Sequence, residues 1–140
     1  MTPIYNNNIG DLFVKNYLLT FLGSGIGGML RYWGSNFVYK FLSTSFPYGT
    51  LFVNFAGTFL LGFIMYYLDY NKFISLDARI FLSIGICGGF TTFSAFSYET
   101  MNLLRDREYM FAGVNVIANL LITLIALFLT YRFSKILSGA

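Results

Sequence analysis

Residues 85–98 read GICGGFTTFSAFSY, and they decide how the rest of the chain is organised. The stretch lies in an apolar run, yet it carries Gly85, Gly88 and Gly89 followed by the pair Thr91 and Thr92. Glycines weaken a helix, and threonine hydroxyls bond nearby backbone in competition with helical pairing. Phe90, Phe93 and Phe96 then recur three apart, so a helix resuming after an interruption presents Phe93 and Phe96 on one face. The spacing predicts a helix broken midway.

The meaning of a break depends on the solvent around it. The chain has 140 residues, 56% hydrophobic and 11% charged, with mean hydropathy +0.64. Soluble domains carry about 25% charged residues. Four runs nearly free of charge, at about 17–41, 51–68, 79–97 and 110–131, are each close to one bilayer thick, roughly 20 residues. The expectation is an all-α membrane protein: a single domain over 1–140 with four transmembrane helices, the third of them broken. Lipid satisfies no backbone group, so a break survives only where protein or an ion takes up the freed amides and carbonyls. In transport proteins such carbonyls face cations, and half-helix N-termini face anions.

Other features exclude functions. The N-terminal stretch MTPIYNNNIGDLFVK lacks a basic segment ahead of an apolar core, and reads as a short cytoplasmic or interfacial tail rather than a cleaved signal. A lone cysteine, Cys87, rules out an intrachain disulfide, and the absence of histidine argues against a Cys/His metal site. The net charge of +3 gives no reason to invoke nucleic acid. Lys15, Lys72, Arg79, Arg132 and Lys135 fall on one side of the expected topology, against Lys40, Arg105 and Arg107 on the other. That small bias favours both termini inside, and is weak enough to suit copies inserted in both orientations.

Polar residues recur at helical spacing in each remaining span. Thr20, Ser24, Gly27, Gly28, Arg31 and Ser35 share a face of the first; Thr50, Asn54, Thr58 and Gly62 one of the second; Ala112, Asn115, Asn119, Thr123 and Ala126 one of the fourth. Small residues and hydroxyls serve helix packing in membranes. Asparagine differs in kind, because its amide is costly to leave unpaired in hydrocarbon. Asn54, Asn115 and Asn119 therefore point to a polar path or a hydrogen-bonded core. Arg31, inside the first run, points to a wet vestibule whose positive potential gathers anions. Inward-turned ring edges of Phe93 and Phe96 would add weak electropositive contacts without a trapping charge.

Acids are missing where some transporters need them. None occurs from Leu12 to Leu68 or between Ala78 and Tyr98, and Glu99 is the only one near the phenylalanines. A proton-coupled multidrug exporter requires a carboxylate at membrane depth, so that class is disfavoured. No histidine or buried acid pair is available to activate a nucleophile, so the chain does not read as an enzyme. A non-conducting partner subunit remains as the alternative to a conductor.

Three segments carry a resemblance: GGMLRY at Gly27–Tyr32, PYGTLFVNFAGTFLLG at Pro47–Gly62 and GICGGFTTFSAFSYE at Gly85–Glu99. In that order, on a four-span chain, they make it similar to the Fluc/CrcB family of fluoride channels over nearly its whole length. The resemblance implies an antiparallel, dual-topology dimer in the cell membrane with two fluoride pathways along the subunit interface. It places Phe93 and Phe96 on those pathways and Asn54 in their polar part, makes Arg31 the vestibule arginine, and matches Glu99 to the acid after the phenylalanines. It also implies a structural sodium ion at the dimer centre, held by backbone carbonyls of Gly88 and Thr91 from both subunits. Where the family often has Tyr, Ser and then Gly or Ser along the fourth helix, this chain has Asn115, Asn119 and Thr123. The implied function is passive export of cytoplasmic fluoride by a homodimer, or by a pair of homologous chains. Donors from Thr92, Ser94, Asn54, Asn119 and Thr123 would replace the ion's water in a narrow pore.

Overall fold

The computed structural model describes residues 7–139, and every regular element among them is helical. Helix α1 spans Asn7–Val38. Helix α2 spans Tyr48–Asp69, its last part, Ile64–Asp69, wound in the wider π form. Helix α3 runs over residues 76–90, as an α turn at Leu76–Arg79, a π stretch at Ile80–Cys87 and a final turn at Gly88–Phe90. Helix α4 follows at Phe93–Arg105, and α5 at Tyr109–Ser138.

Among the described residues, three helical stretches are long and apolar enough to cross a membrane: Tyr48–Asp69, Leu76–Arg105 and Tyr109–Ser138. The glycines of α1, together with Lys15 and Arg31, hold its hydropathy below theirs. Met1–Asn6 of the expected tail lie outside the described residues, and from Asn7 onward that tail is helix. The polar residues of that stretch make it read as a short cytoplasmic or interfacial tail, although a helix end can project past the apolar zone into water.

The burial pattern is inverted relative to a soluble domain. Buried side chains include Asn115, Asn119, Thr50, Asn54 and Thr92, whereas Phe21, Trp33, Leu124 and many other large apolar residues face outward. Lys15 pairs with Asp77 at 2.9 Å, and Asn71 reaches Ser138 at 3.0 Å, which gathers the start of α1, the α2–α3 turn and the end of α5 at one end. Thr50 and Glu99 meet at the other end, as do Phe46 and Phe111. Successive long segments thus run in alternating directions.

Glycines set how closely α1 and α3 approach. A Cβ added at Gly23 would lie 2.6 Å from the Phe81 carbonyl oxygen, and one at Gly85 would lie 2.8 Å from the Gly23 Cα. One turn on, Gly27 abuts the Ile86 carbonyl and Gly89 abuts the Ser24 carbonyl. Two Gly-x-x-x-Gly pairs therefore interlock backbone against backbone, the close contact that small residues allow in lipid. Gly85, Gly88 and Gly89 all lie within helix, so they are not the break itself. The interruption falls at Thr91 and Thr92.

Candidate functional site

Thr91 (φ −79°, ψ 158°) and Thr92 (φ −153°, ψ 118°) are extended residues between two helices. Thr91 closes α3 with its amide and its hydroxyl, both donating to the Cys87 carbonyl, at 3.0 and 2.9 Å. Thr92 opens α4 as its N-cap, Oγ1 accepting from the Ala95 amide at 3.1 Å. The side chains of Phe90 and Thr91 rest on Gly57 of α2, where an added Cβ would meet Thr91 Cγ2 at 2.5 Å.

Asn54 satisfies the backbone that the break frees. Its Oδ1 accepts the Thr92 amide at 2.8 Å, and its Nδ2 donates to the Thr92 carbonyl at 3.1 Å. The same Nδ2 donates to Asn119 Oδ1 at 3.0 Å. Asn119 Nδ2 donates in turn to the Asn115 carbonyl and Oδ1, at 3.1 and 2.9 Å. Asn115 Nδ2 then donates to Thr100 Oγ1 at 2.9 Å, and the Thr100 hydroxyl to the Phe96 carbonyl at 2.7 Å. Buried amides are costly unless paired, and here each one has a partner.

A groove of about 650 Å³ opens beside this chain, lined by Asn54, Thr58, Thr91, Thr92, Phe93, Phe96, Asn119 and Thr123 among others. Phe93 and Phe96 both line it, ring centres 5.3 Å apart and planes inclined by 53°. Phe93 is 79% exposed, so its ring stands out from the subunit. Thr123 lines the groove, but its hydroxyl donates to its own helix, at the Asn119 carbonyl 2.7 Å away. Ser94 is exposed, with its Oγ 3.2 Å from Thr92 Oγ1. Asn115 is completely buried and lies behind the groove wall.

The remaining sequence candidates surround the break. Arg31 reaches it from α1 and donates to the Thr91 carbonyl at 3.3 Å. Gly88 lies on the outer face of α3, with only the Ser83 carbonyl, at 3.9 Å, near the position of an added Cβ. Glu99, one turn past Phe96, accepts from Thr50 at 2.7 Å, and its second oxygen is buried without a partner. Thr100 went unnoticed in the sequence because it follows Glu99, past the apolar run. Its one available signal was its position four residues after Phe96.

A broken membrane-length helix, a polar interior and an open aromatic-edged groove define a multi-pass helical membrane protein of the ion-conducting kind. Residues 18–131 match the family described as CrcB-like protein, Camphor Resistance (CrcB). The fluoride-specific ion channel FluC of Pyrococcus abyssi is 45% identical over 124 residues, covering 87% of this chain and 98% of its own. The fluoride-specific ion channel FluC of Thermus thermophilus is 42% identical over 126 residues (90% and 98%). That of Geobacter metallireducens is 48% identical over 103 residues (74% and 83%). The chain belongs to the CrcB family.

Proposed function

We propose that this chain is the subunit of a fluoride-selective channel, not an enzyme, and that it lets cytoplasmic fluoride leave the cell passively. The observation that carries the reading is the Asn54-braced break beside Phe93 and Phe96, in a chain whose relatives are named fluoride-specific ion channels. Fluoride is small and strongly hydrated, so it gives up water only to close, fixed donors and polarised edges. A pore narrowed by a covering partner, with the Phe93 and Phe96 rings along it, would discriminate against larger halides.

In this reading α1 is a fourth crossing. Its 32 residues give a rod of about 48 Å, against a hydrocarbon core of about 30 Å. The groove is open on one side, and the outward Phe93 ring needs a cover. A second, inverted copy of the same chain supplies it, completing two pathways at the interface of an antiparallel homodimer.

Sodium at the centre of that dimer suits the chemistry of the break. The Thr92 amide would serve the Gly88 carbonyl in an unbroken helix, but it goes to Asn54 instead. Gly88 therefore keeps a carbonyl without that intrahelical donor, on an outward face. The Thr91 carbonyl has one bond, to Arg31, and a second lone pair. Uncharged carbonyl oxygens suit a hard cation of single charge. Replacing sodium by N-methylglucamine is expected to lower the melting temperature of the purified dimer; an unchanged melting curve would remove the ion from this picture.

Fluoride efflux from liposomes holding only this polypeptide, with chloride as control, tests the function. Electrogenic fluoride loss with little chloride loss is the expected result. Intact dimers that pass neither ion would reduce the chain to a non-conducting partner.

A further inference from the structure

The polar chain leaving the break returns to the backbone it started from. It begins at the Thr92 backbone, passes through Asn54, Asn119, Asn115 and Thr100, and ends on the Phe96 carbonyl. Thr92 and Phe96 bracket the first turn of α4, the turn that carries Phe93. The circuit crosses α2 and α5 and closes around the segment bearing both groove aromatics.

The direction of each bond limits what the amides can do for an ion. Asn54 Nδ2 is committed to Thr92 and Asn119, and Asn119 Nδ2 to Asn115. Their protons are spent inside the subunit. Asn115 is 0% exposed, and neither it nor Thr100 lines the groove. The Thr100 hydroxyl accepts from Asn115 while donating to the carbonyl one turn back, a bond that helps bend a helix.

We propose that Thr100 and Asn115 are positioning residues of the conduction pathway, which fix the aim of the Phe93 and Phe96 rings without touching the ion. The proposal rests on the channel reading above. Asn115 sets the amide orientation of Asn119, which sets that of Asn54 and so the Thr92 end of the turn. Thr100 holds the Phe96 end. Loss of either link frees the same turn.

The test uses full-length Thr100→Val, Thr100→Ser, Asn115→Leu and the Val/Leu double variant, reconstituted as folded dimers beside the unaltered protein. Thr100→Val keeps the side-chain shape and removes only the hydroxyl, so it reports even if Asn115→Leu fails to fold. It is expected to lower the ratio of fluoride to chloride efflux about tenfold per folded dimer, as for a link in a coupled network. Thr100→Ser, which keeps the hydroxyl, is expected to retain the unaltered ratio. The double variant is expected to be no worse than the more impaired single variant, as for two links of one circuit. A loss of folded protein with the ratio unchanged in Thr100→Val would overturn the positioning role, and so would equal impairment in Thr100→Ser. If the unaltered protein passes no fluoride, the channel reading fails and the inference falls with it.

Discussion

Asn54 bonds Thr92 at both its amide and its carbonyl, at 2.8 and 3.1 Å, as a neighbouring strand would. Thr92 is extended, so its N–H and C=O point the same way, and one carboxamide serves both. Asn54→Leu is close in size but leaves both groups unmet in a buried site. Each unmet group costs about 1–3 kcal/mol. The expected outcome is a lower melting temperature in detergent together with near-complete loss of fluoride efflux. A variant that conducts normally would show that the break needs no brace from α2.

Phe93 and Phe96 are expected to act through their rings rather than their bulk. Isoleucine at either position keeps an apolar side chain and removes the polarised edge. Fluoride efflux should fall about tenfold in each single variant, with the elution volume unchanged in size-exclusion chromatography. Full efflux in both would leave the groove without its aromatic rim as a working part.

The glycines of α1 separate into two kinds that a substitution series can distinguish. An alanine Cβ at Gly23 meets the backbone of α3, whereas nothing lies within 4 Å of one at Gly25. Gly23→Ala is expected to destabilise by about 1–3 kcal/mol through overpacking. Gly25→Ala is expected to be neutral or to stabilise by up to about 1 kcal/mol through helix propensity. Thermal melts measured side by side should therefore show a lowered midpoint for Gly23→Ala and no lowering for Gly25→Ala.

Arg31 contributes a charge near the break as well as a hydrogen bond to Thr91. Arg31→Gln removes the charge and, with its amide two bonds short of the guanidinium nitrogen that bonds Thr91, the hydrogen bond as well; only the charge is sensitive to salt. Fluoride efflux should drop severalfold at low ionic strength, and the deficit should shrink as inert salt rises through a Debye length of about 10 Å at 0.1 M. A deficit independent of salt would assign Arg31 to bracing alone.

Much of the site was legible because lipid makes polar residues conspicuous. Asn54, Asn115 and Asn119 stood out in apolar runs, and the Thr91–Thr92 pair marked the interruption. Their spacing could not reveal which amide faces which, so Asn115 and Asn119 read alike, although only Asn119 reaches the groove. The glycines misled about location. Gly85 and Gly89 suggest weakness in isolation, and only the facing Gly23, Ser24 and Gly27 reveal them as packing surface. Helix ends were hidden for another reason: α5 continues through Arg132 and Lys135 to Ser138, since charge ends an apolar run without ending a helix.

The brace on Thr92 also bears on the order in which the polypeptide is made. Asn54 precedes the broken segment in the chain, so the carboxamide that meets Thr92 is made first. Asn119 and Asn115 come last, and the loop of bonds stays incomplete until α5 has inserted. Without α5 the chain would keep the Asn54 brace on Thr92 but lose the bonds through Asn119 and Asn115 to Thr100.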